Sequence, residues 1–232
     1  CYRQAFSLLQ RLQALEPPDP GWPVYDEALL QEELGRFPQW FAGALLGHAM
    51  TADELSLWRR LCCELVGSAL AQPKVLVHRD FHSRNLMPQA DGQLAVIDFQ
   101  DAVYGPLTYD LVSLLRDCYI RWPAHRVEAW ALDYLARLRA AGACAEVADG
   151  EFLRWFDLMG LQRHLKVLGT FARLYLRDGK RGYLEDLPLV IDYVLEILDR
   201  YAARNPDFAD FANWFRGTLG PLVAAQDWSV PA

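Results

Sequence analysis

The chain has 232 residues, of which 53% are hydrophobic and 12% aromatic, and a formal net charge of -7. This length supplies one domain, or one and a half, with a sizeable core, and the composition excludes a disordered chain. The acidic balance and the lack of any Lys/Arg run exclude a nucleic-acid footprint, but not phosphate ligands, whose charge Mg²⁺ can offset.

In chain order, Tyr2, Phe6, Leu9 and Leu12 share one face of a first helix over Tyr2–Leu15, which the proline run Glu16–Pro20 stops. The chain begins at Cys1 inside that helical pattern without an initiator Met, and reads as a fragment. A second amphipathic stretch covers Asp26–Trp40. Its Glu32, Glu33 and Arg36 suit a polyhydroxylated ligand with Trp40 as a stacking ring, but the spacing alone favours a solvated helix face with a core aromatic. Thr51-Ala-Asp-Glu54 is a capping box opening a helix to about Leu70, with Leu55, Trp58, Leu61, Cys62 and Leu65 inward. Cys62 and Cys63 read as packing residues, and the odd number of cysteines without framework spacing reads as reduced thiols in a cytoplasmic protein.

The next stretch concentrates the polar chemistry. Val75–Val77 and Leu86-Met87 read as short strands flanking His78-Arg-Asp-Phe-His-Ser-Arg-Asn85. Gln89–Gly92 makes a turn, and a third apolar run, Leu94–Ile97, ends on Asp98. His78, Asp80, Asn85 and Asp98 thus lie at strand edges, where loops hold functional groups on a rigid base. Phosphoryl transfer needs a carboxylate to orient and finally deprotonate a hydroxyl, and oxygen ligands for Mg²⁺. Asp80 is the candidate base, Asn85 and Asp98 the candidate metal ligands, and His78 a loop prop. The order His-Arg-Asp-x-x-x-x-Asn, then Asp-Phe, is the catalytic-loop and metal-site pair of kinases.

Phe99–Pro106 reads as a loop that places Gln100 and Asp101 close to wherever phosphate meets acceptor. Leu107–Cys118 reads as a helix, with Asp110 near its start suiting the helix dipole or accepting amides from a neighbouring loop. Pro123 restarts a helix to about Ala141 with Gly142 as its C-cap, and a long apolar pattern runs from Asp149 to Asp178-Gly179. Within it, Gln162-Arg-His-Leu-Lys166 faces a pocket or forms one exposed stripe. Helices over Leu187–Tyr201 and Pro206–Leu219 follow, and Val223–Ala232 carries no signal. No repeat, linker or membrane-length apolar run occurs, and no signal peptide opens the chain.

His78–Asn85 with Ile97-Asp-Phe-Gln-Asp101 resembles the loop and metal site of the aminoglycoside phosphotransferase and choline kinase family. Leu34–Phe41, Ala102–Leu111 and Gln162–Phe171 resemble, more narrowly, the anomeric sugar kinases of bacterial cell-wall (peptidoglycan) recycling. Those phosphorylate N-acetylmuramate and N-acetylglucosamine to the 1-phosphate, with ATP as co-substrate.

The resemblance implies an α+β, mostly α chain. It would be the helical C-terminal lobe (1–232) of a protein-kinase-like fold, with a small β-hairpin carrying the catalytic and metal sites and the N-terminal nucleotide-binding β-lobe lying outside the chain. By it Asp80 is the base, Asn85 and Asp98 hold Mg²⁺, and Asp110 joins His78 in supporting the loop. Arg84, Gln100 and Asp101, then Glu32, Glu33, Arg36, Arg163 and His164, are expected to touch the substrate. The expected protein is a cytoplasmic monomer acting on a small-molecule amino sugar and ATP, with little turnover from the isolated chain. Two alternatives stay open: an aminoglycoside, choline or homoserine kinase, and a non-catalytic helical binding module.

Overall fold

The computed structural model describes residues 1–16 and 21–229. Along them run α1 (Tyr2–Gln13), α2 (Glu27–Arg36), α3 (Ala52–Leu70), β1 (Lys74–Val77), β2 (Leu86–Pro88) and β3 (Leu94–Val96). Then come β4 (Val103–Pro106), α4 (Tyr109–Leu115), α5 (Ala124–Ala140), α6 (Asp149–Asp178), α7 (Leu187–Ala202), α8 (Pro206–Trp214) and α9 (Gly220–Ala224). The chain forms two compact units, Cys1–Asp26 with Ser68–Gly160 and Glu27–Gly67 with Leu161–Ala232. Helices dominate both, and none among the described residues is long and apolar enough to cross a membrane.

In the first unit β1 pairs antiparallel with β4, Val77 opposite Val103 and Lys74 opposite Pro106. Residues 23–25 extend this ladder on the far side of β4, where Tyr104 N donates to Pro23 O and Tyr25 N to Tyr104 O. The sequence reading of Phe99–Pro106 as a loop is therefore corrected over its second half. Gly105 explains the difference, because a Cβ there would stand 2.6 Å from the Tyr25 Cβ. The glycine serves close backbone approach in a strand rather than a turn. β2 and β3 form a separate hairpin, Leu86 opposite Val96, turned through Gly92 at φ +80.

The helices of this unit close over Phe6, Leu9, Phe81, Leu111, Leu115, Tyr134 and Phe156, all buried. Gln13 ties α1 to α5 and to the turn after β4, donating to Leu107 O and accepting from the Tyr134 hydroxyl. α1 ends at Gln13, and the proline run proposed to stop it lies, at 17–20, outside the described residues. α4 is shorter than expected and stops at Leu115, because Asp117 is drawn into hydrogen bonds with Ser83 and with the Tyr119 amide. Gly142, at φ +83, closes α5.

The second unit centres on stacked aromatic rings: Phe37 lies 4.9 Å from Trp58 and 5.5 Å from Phe41, and Phe211 and Phe215 join them. Such pairs add to the burial of large apolar surfaces. α2 does not stop at Trp40 but passes into wider, π-helical turns over Phe37–Leu45, beginning where Pro38 has no N–H to give. The capping box forms as read: Thr51 N donates to Glu54 Oε2 at 2.7 Å and Glu54 N to Thr51 Oγ1 at 3.3 Å. Cys62 is buried but Cys63 is exposed, so only the first is a packing residue. The last helix also continues beyond Leu219, through α9 to Ala224, and residues 230–232 of the tail lie outside the described residues.

Candidate active site

β1 delivers the chain to the polar loop, and α4 seizes it at once. Asp110, fully buried in the first turn of α4, accepts from His78 N at 2.7 Å and from Arg79 N at 3.0 Å. Two consecutive amides aimed at one carboxylate require a sharp backbone turn, and Arg79 sits at φ +74. That left-handed conformation costs a non-glycine residue about 1–2 kcal/mol, which two charge-assisted hydrogen bonds offset. Of the two readings for Asp110, acceptance of loop amides is the one observed.

The next residue is Asp80, half-buried, whose carbonyl is a second hub. It accepts from His82 N and from Asn85 Nδ2, each at 3.0 Å. Donation from Nδ2 turns the Asn85 amide so that its Oδ1 points away from that carbonyl. The far end of the loop is held by a carboxylate that sequence reasoning missed. Asp117, buried, accepts from Ser83 N at 3.0 Å and from Ser83 Oγ at 2.6 Å. No local pattern in the sequence marks it, and α4 ends at Leu115, two residues before it.

The hairpin brings the second strand end back to the loop, with Ile97 N donating to Asn85 O at 3.1 Å. Asp98 follows at φ +70, exposed, and its Oδ1 accepts from Gln100 Nε2 at 2.8 Å. The buried His78 imidazole lies where both carboxylates act on it. Burial pushes its pKa below the ordinary value, against the opposing pull of Asp80, the Ile97 carbonyl and Asp98. Around Asp98 the hairpin exposes apolar surface, Ile97 at 46% and Phe99 at 69%.

Arg84, Gln100 and Asp101 belong to this same unit. Arg84 is exposed, its guanidinium carbon 3.4 Å above the centre of the Tyr119 ring, a cation–π contact that holds the side chain flat beside the loop. Glu32, Glu33, Arg36, Arg163 and His164 belong to the other unit. There Arg36 pairs with exposed Glu32 at 3.0 Å, while Glu33 is fully buried and pairs with Lys166 at 2.8 Å. Arg163 and His164 are buried, His164 stacked on Tyr193 with centroids 4.8 Å apart, so this part of α6 is not an exposed stripe. Glu33 and Lys166 are 133 positions apart, which is why periodicity alone placed Glu33 on a solvated face.

Among the described residues no group of three His, Cys, Asp or Glu side chains is set to hold a metal ion. Asn85 and Asp98 offer two hard oxygen donors. That donor set fits Mg²⁺, which keeps water and phosphate oxygens in its shell, better than it fits a metal needing a full protein cage.

Comparison with known proteins agrees with this geometry. The chain is 45% identical over 223 residues to the N-acetylmuramate/N-acetylglucosamine kinase of Pseudomonas putida KT2440, covering 96% of this chain and 62% of that protein. It is 47% identical over 187 residues to the protein of the same name from Neisseria meningitidis MC58, covering 81% and 56%. The chain thus spans roughly six-tenths of the length of the curated relatives it matches. In fold it is similar to Plasmodium vivax ethanolamine kinase, with a TM-score of 0.60 at 13% identity over 90% of this chain and 60% of that one. The aminoglycoside phosphotransferase APH(2'')-Ib, ADP-bound, gives 0.50 at 14% identity over 85% and 66%. The model of the phosphotransferase enzyme family (APH) matches residues 1–156, from α1 through the polar loop and hairpin to the start of α6, and the chain belongs to that family.

Proposed function

We propose that the protein containing this chain is a kinase that moves the γ-phosphoryl group of ATP to the anomeric hydroxyl of an amino sugar, N-acetylmuramate or N-acetylglucosamine. The observation that carries the reading is the tie between two strand ends, Ile97 N donating to Asn85 O at 3.1 Å so that the hairpin end bearing Asp98 returns to the loop bearing Asp80, in a chain 45% identical to a protein named for those sugars. Asp80 orients the acceptor hydroxyl and receives its proton late, since the transition state is loose. Asn85, its amide turned by the Asp80 carbonyl, and Asp98 would hold Mg²⁺, which supplies charge neutralisation at the phosphates. Asp110, Asp117 and His78 keep the loop in place. Arg84, Gln100 and Asp101 are assigned as acceptor contacts of the first unit. Buried Glu33, Arg163 and His164 are assigned to positioning the helices that carry them.

The chain spans about six-tenths of its relatives' length, which leaves room for a second lobe; we further propose that the chain is the C-terminal lobe of a bilobal kinase, and that the complete protein is a cytoplasmic monomer. On this assignment the 232 residues alone turn over little. The test is phosphate transfer from ATP by the full-length protein to N-acetylmuramate, N-acetylglucosamine, choline and kanamycin. Product at the anomeric position of either amino sugar is expected, and Asp80→Asn should lower kcat by about 10²–10⁴-fold. Activity on choline or kanamycin alone removes the sugar assignment. Turnover that survives Asp80→Asn removes Asp80 as the base.

A further inference from the structure

The turn that follows α4 clasps the middle of the polar loop. Asp117 holds both sides of the clasp, its carboxylate accepting from Ser83 N and Oγ and from Tyr119 N at 3.2 Å. The Tyr119 ring so placed meets two side chains of the loop. The His82 ring stands edge-on to it, centroids 5.7 Å apart and planes at 83°, and the Arg84 guanidinium carbon lies 3.4 Å over its centre. At that height guanidinium and ring lie face to face, because an edge-on guanidinium would drive a nitrogen into the ring. The five N–H donors of Arg84 lie in the guanidinium plane, so they point sideways past the ring rather than into it. The side chain is exposed, and among the described residues no carboxylate is paired with it.

An arginine is thereby fixed through its flat face while its donor edge stays open. In the chain it stands between Asp80, the assigned base, and Asn85, an assigned metal ligand. We propose that Tyr119 is a positioning residue, which holds Arg84 beside the loop as a fork for an oxyanion. The inference rests on the kinase reading above and refines it. A guanidinium edge binds two oxygens of a carboxylate or a phosphoryl group in parallel bonds. Two oxyanions of the proposed reaction match it: the phosphoryl group in transfer, and the lactyl carboxylate that N-acetylmuramate carries and N-acetylglucosamine lacks. Tyr119 serves either one without touching it, because a side chain already held in place loses less freedom on binding.

The experiment is a double-mutant cycle in the full-length protein. It reads kcat and KM for both sugars in wild type, Arg84→Met, Tyr119→Leu, Tyr119→Phe and the double variant Arg84→Met/Tyr119→Leu. Arg84→Met should cut kcat/KM for N-acetylmuramate by about 10–100-fold. Tyr119→Leu should cut it by about 3–10-fold, and Tyr119→Phe, which keeps the ring, by less than about two-fold. The double variant should lose no more than Arg84→Met alone, because Tyr119 acts through Arg84. A loss confined to N-acetylmuramate and carried by KM assigns the fork to the carboxylate, and an equal loss of kcat on both sugars assigns it to the phosphoryl group. Additive losses, a Tyr119→Phe as impaired as Tyr119→Leu, or an Arg84→Met within about two-fold of wild type each overturn the proposal. Wild-type turnover of neither sugar refutes the kinase reading instead. Arginine side-chain NMR of the same protein, titrated with inorganic phosphate, then decides the fork. An Arg84 Nε–H resonance that is shifted upfield by the ring and moves saturably, with both properties lost in Tyr119→Leu, supports it, and a resonance that does not move overturns it.

Discussion

The buried carboxylate of Asp110 is the most informative single atom group to perturb. In Asp110→Asn one acceptor oxygen becomes an NH₂ group, so one of the His78 and Arg79 amides, now held at 2.7 and 3.0 Å, faces a donor. Hydrogen bonds to a charged group contribute about 1.5–3 kcal/mol each, a neutral replacement about 0.5–1.5, and an orphaned buried amide costs about 1–3. Relaxation of Arg79 from φ +74 returns about 1–2 kcal/mol. The net loss is about 2–4 kcal/mol, a large share of the 5–15 or so that holds a typical domain. Amide hydrogen exchange reads it directly: the His78 and Arg79 amides should pass from protected to fast, and urea unfolding should shift to lower concentration. If the full-length protein is the kinase proposed, kcat should fall by about 10²-fold, since small displacements of a catalytic group cost that much. A loss under about 0.5 kcal/mol with both amides still protected would show that something other than Asp110 braces the loop.

Two further perturbations test the second unit. Gly169→Ala should lower Tm despite the helix preference for alanine of about 1 kcal/mol, because the new Cβ meets the Arg36 backbone and overpacking costs about 1–3 kcal/mol or more. Gly150→Ala, with open space around it, is the control, and a rise in Tm for Gly169→Ala would refute the close crossing. Glu54 is predicted to be an acid-sensitive strap. Burial opposes its charge, but the Thr51 amide, the Trp214 indole, His48 and the Thr51 hydroxyl together bring its pKa down to about 2. A depressed folded pKa means stability present above about pH 4.5 and lost as pH falls toward 2. Glu54→Gln should flatten that acid limb and cost about 1–2 kcal/mol at neutral pH, and an unchanged limb measured by thermal melts would exclude the strap.

What was legible in the sequence was local. The capping box at Thr51–Glu54, the glycines closing α5 and α6, and the Asp-Gly turn of the hairpin are each decided by residues a few positions apart, and each forms as read. Order along the chain is likewise what proposes Asp80, Asn85 and Asp98, because that chemistry is spaced locally too. The rest depended on distant partners. β4 looked like a turn because Val-Tyr-Gly-Pro carries turn residues, yet its pairing partner β1 lies about thirty positions earlier and its other neighbour about eighty. From its spacing Asp110 offered two readings, and only the resemblance leaned toward loop support, which the His78 and Arg79 amides display. Asp117 had no local pattern to announce it, since its role is to receive Ser83 from 34 positions away.

Backbone strain gives this division a physical meaning. Among the described residues three non-glycines have positive φ, and two of them are Arg79 and Asp98, one immediately before Asp80 and the other the carboxylate itself. Glycine would accept these conformations at lower cost, but at position 98 it would remove the carboxylate the site is built around. The strain persists because the surroundings overdetermine it: Asp110 and Asp117 hold the loop at both ends, and the Ile97-to-Asn85 hydrogen bond ties the hairpin back to it. On the proposed reading, two buried carboxylates that perform no chemistry act on two that are assigned to perform it. A loop so restrained has little freedom left to lose when substrate binds, and that preorganisation is what phosphoryl transfer demands of a protein.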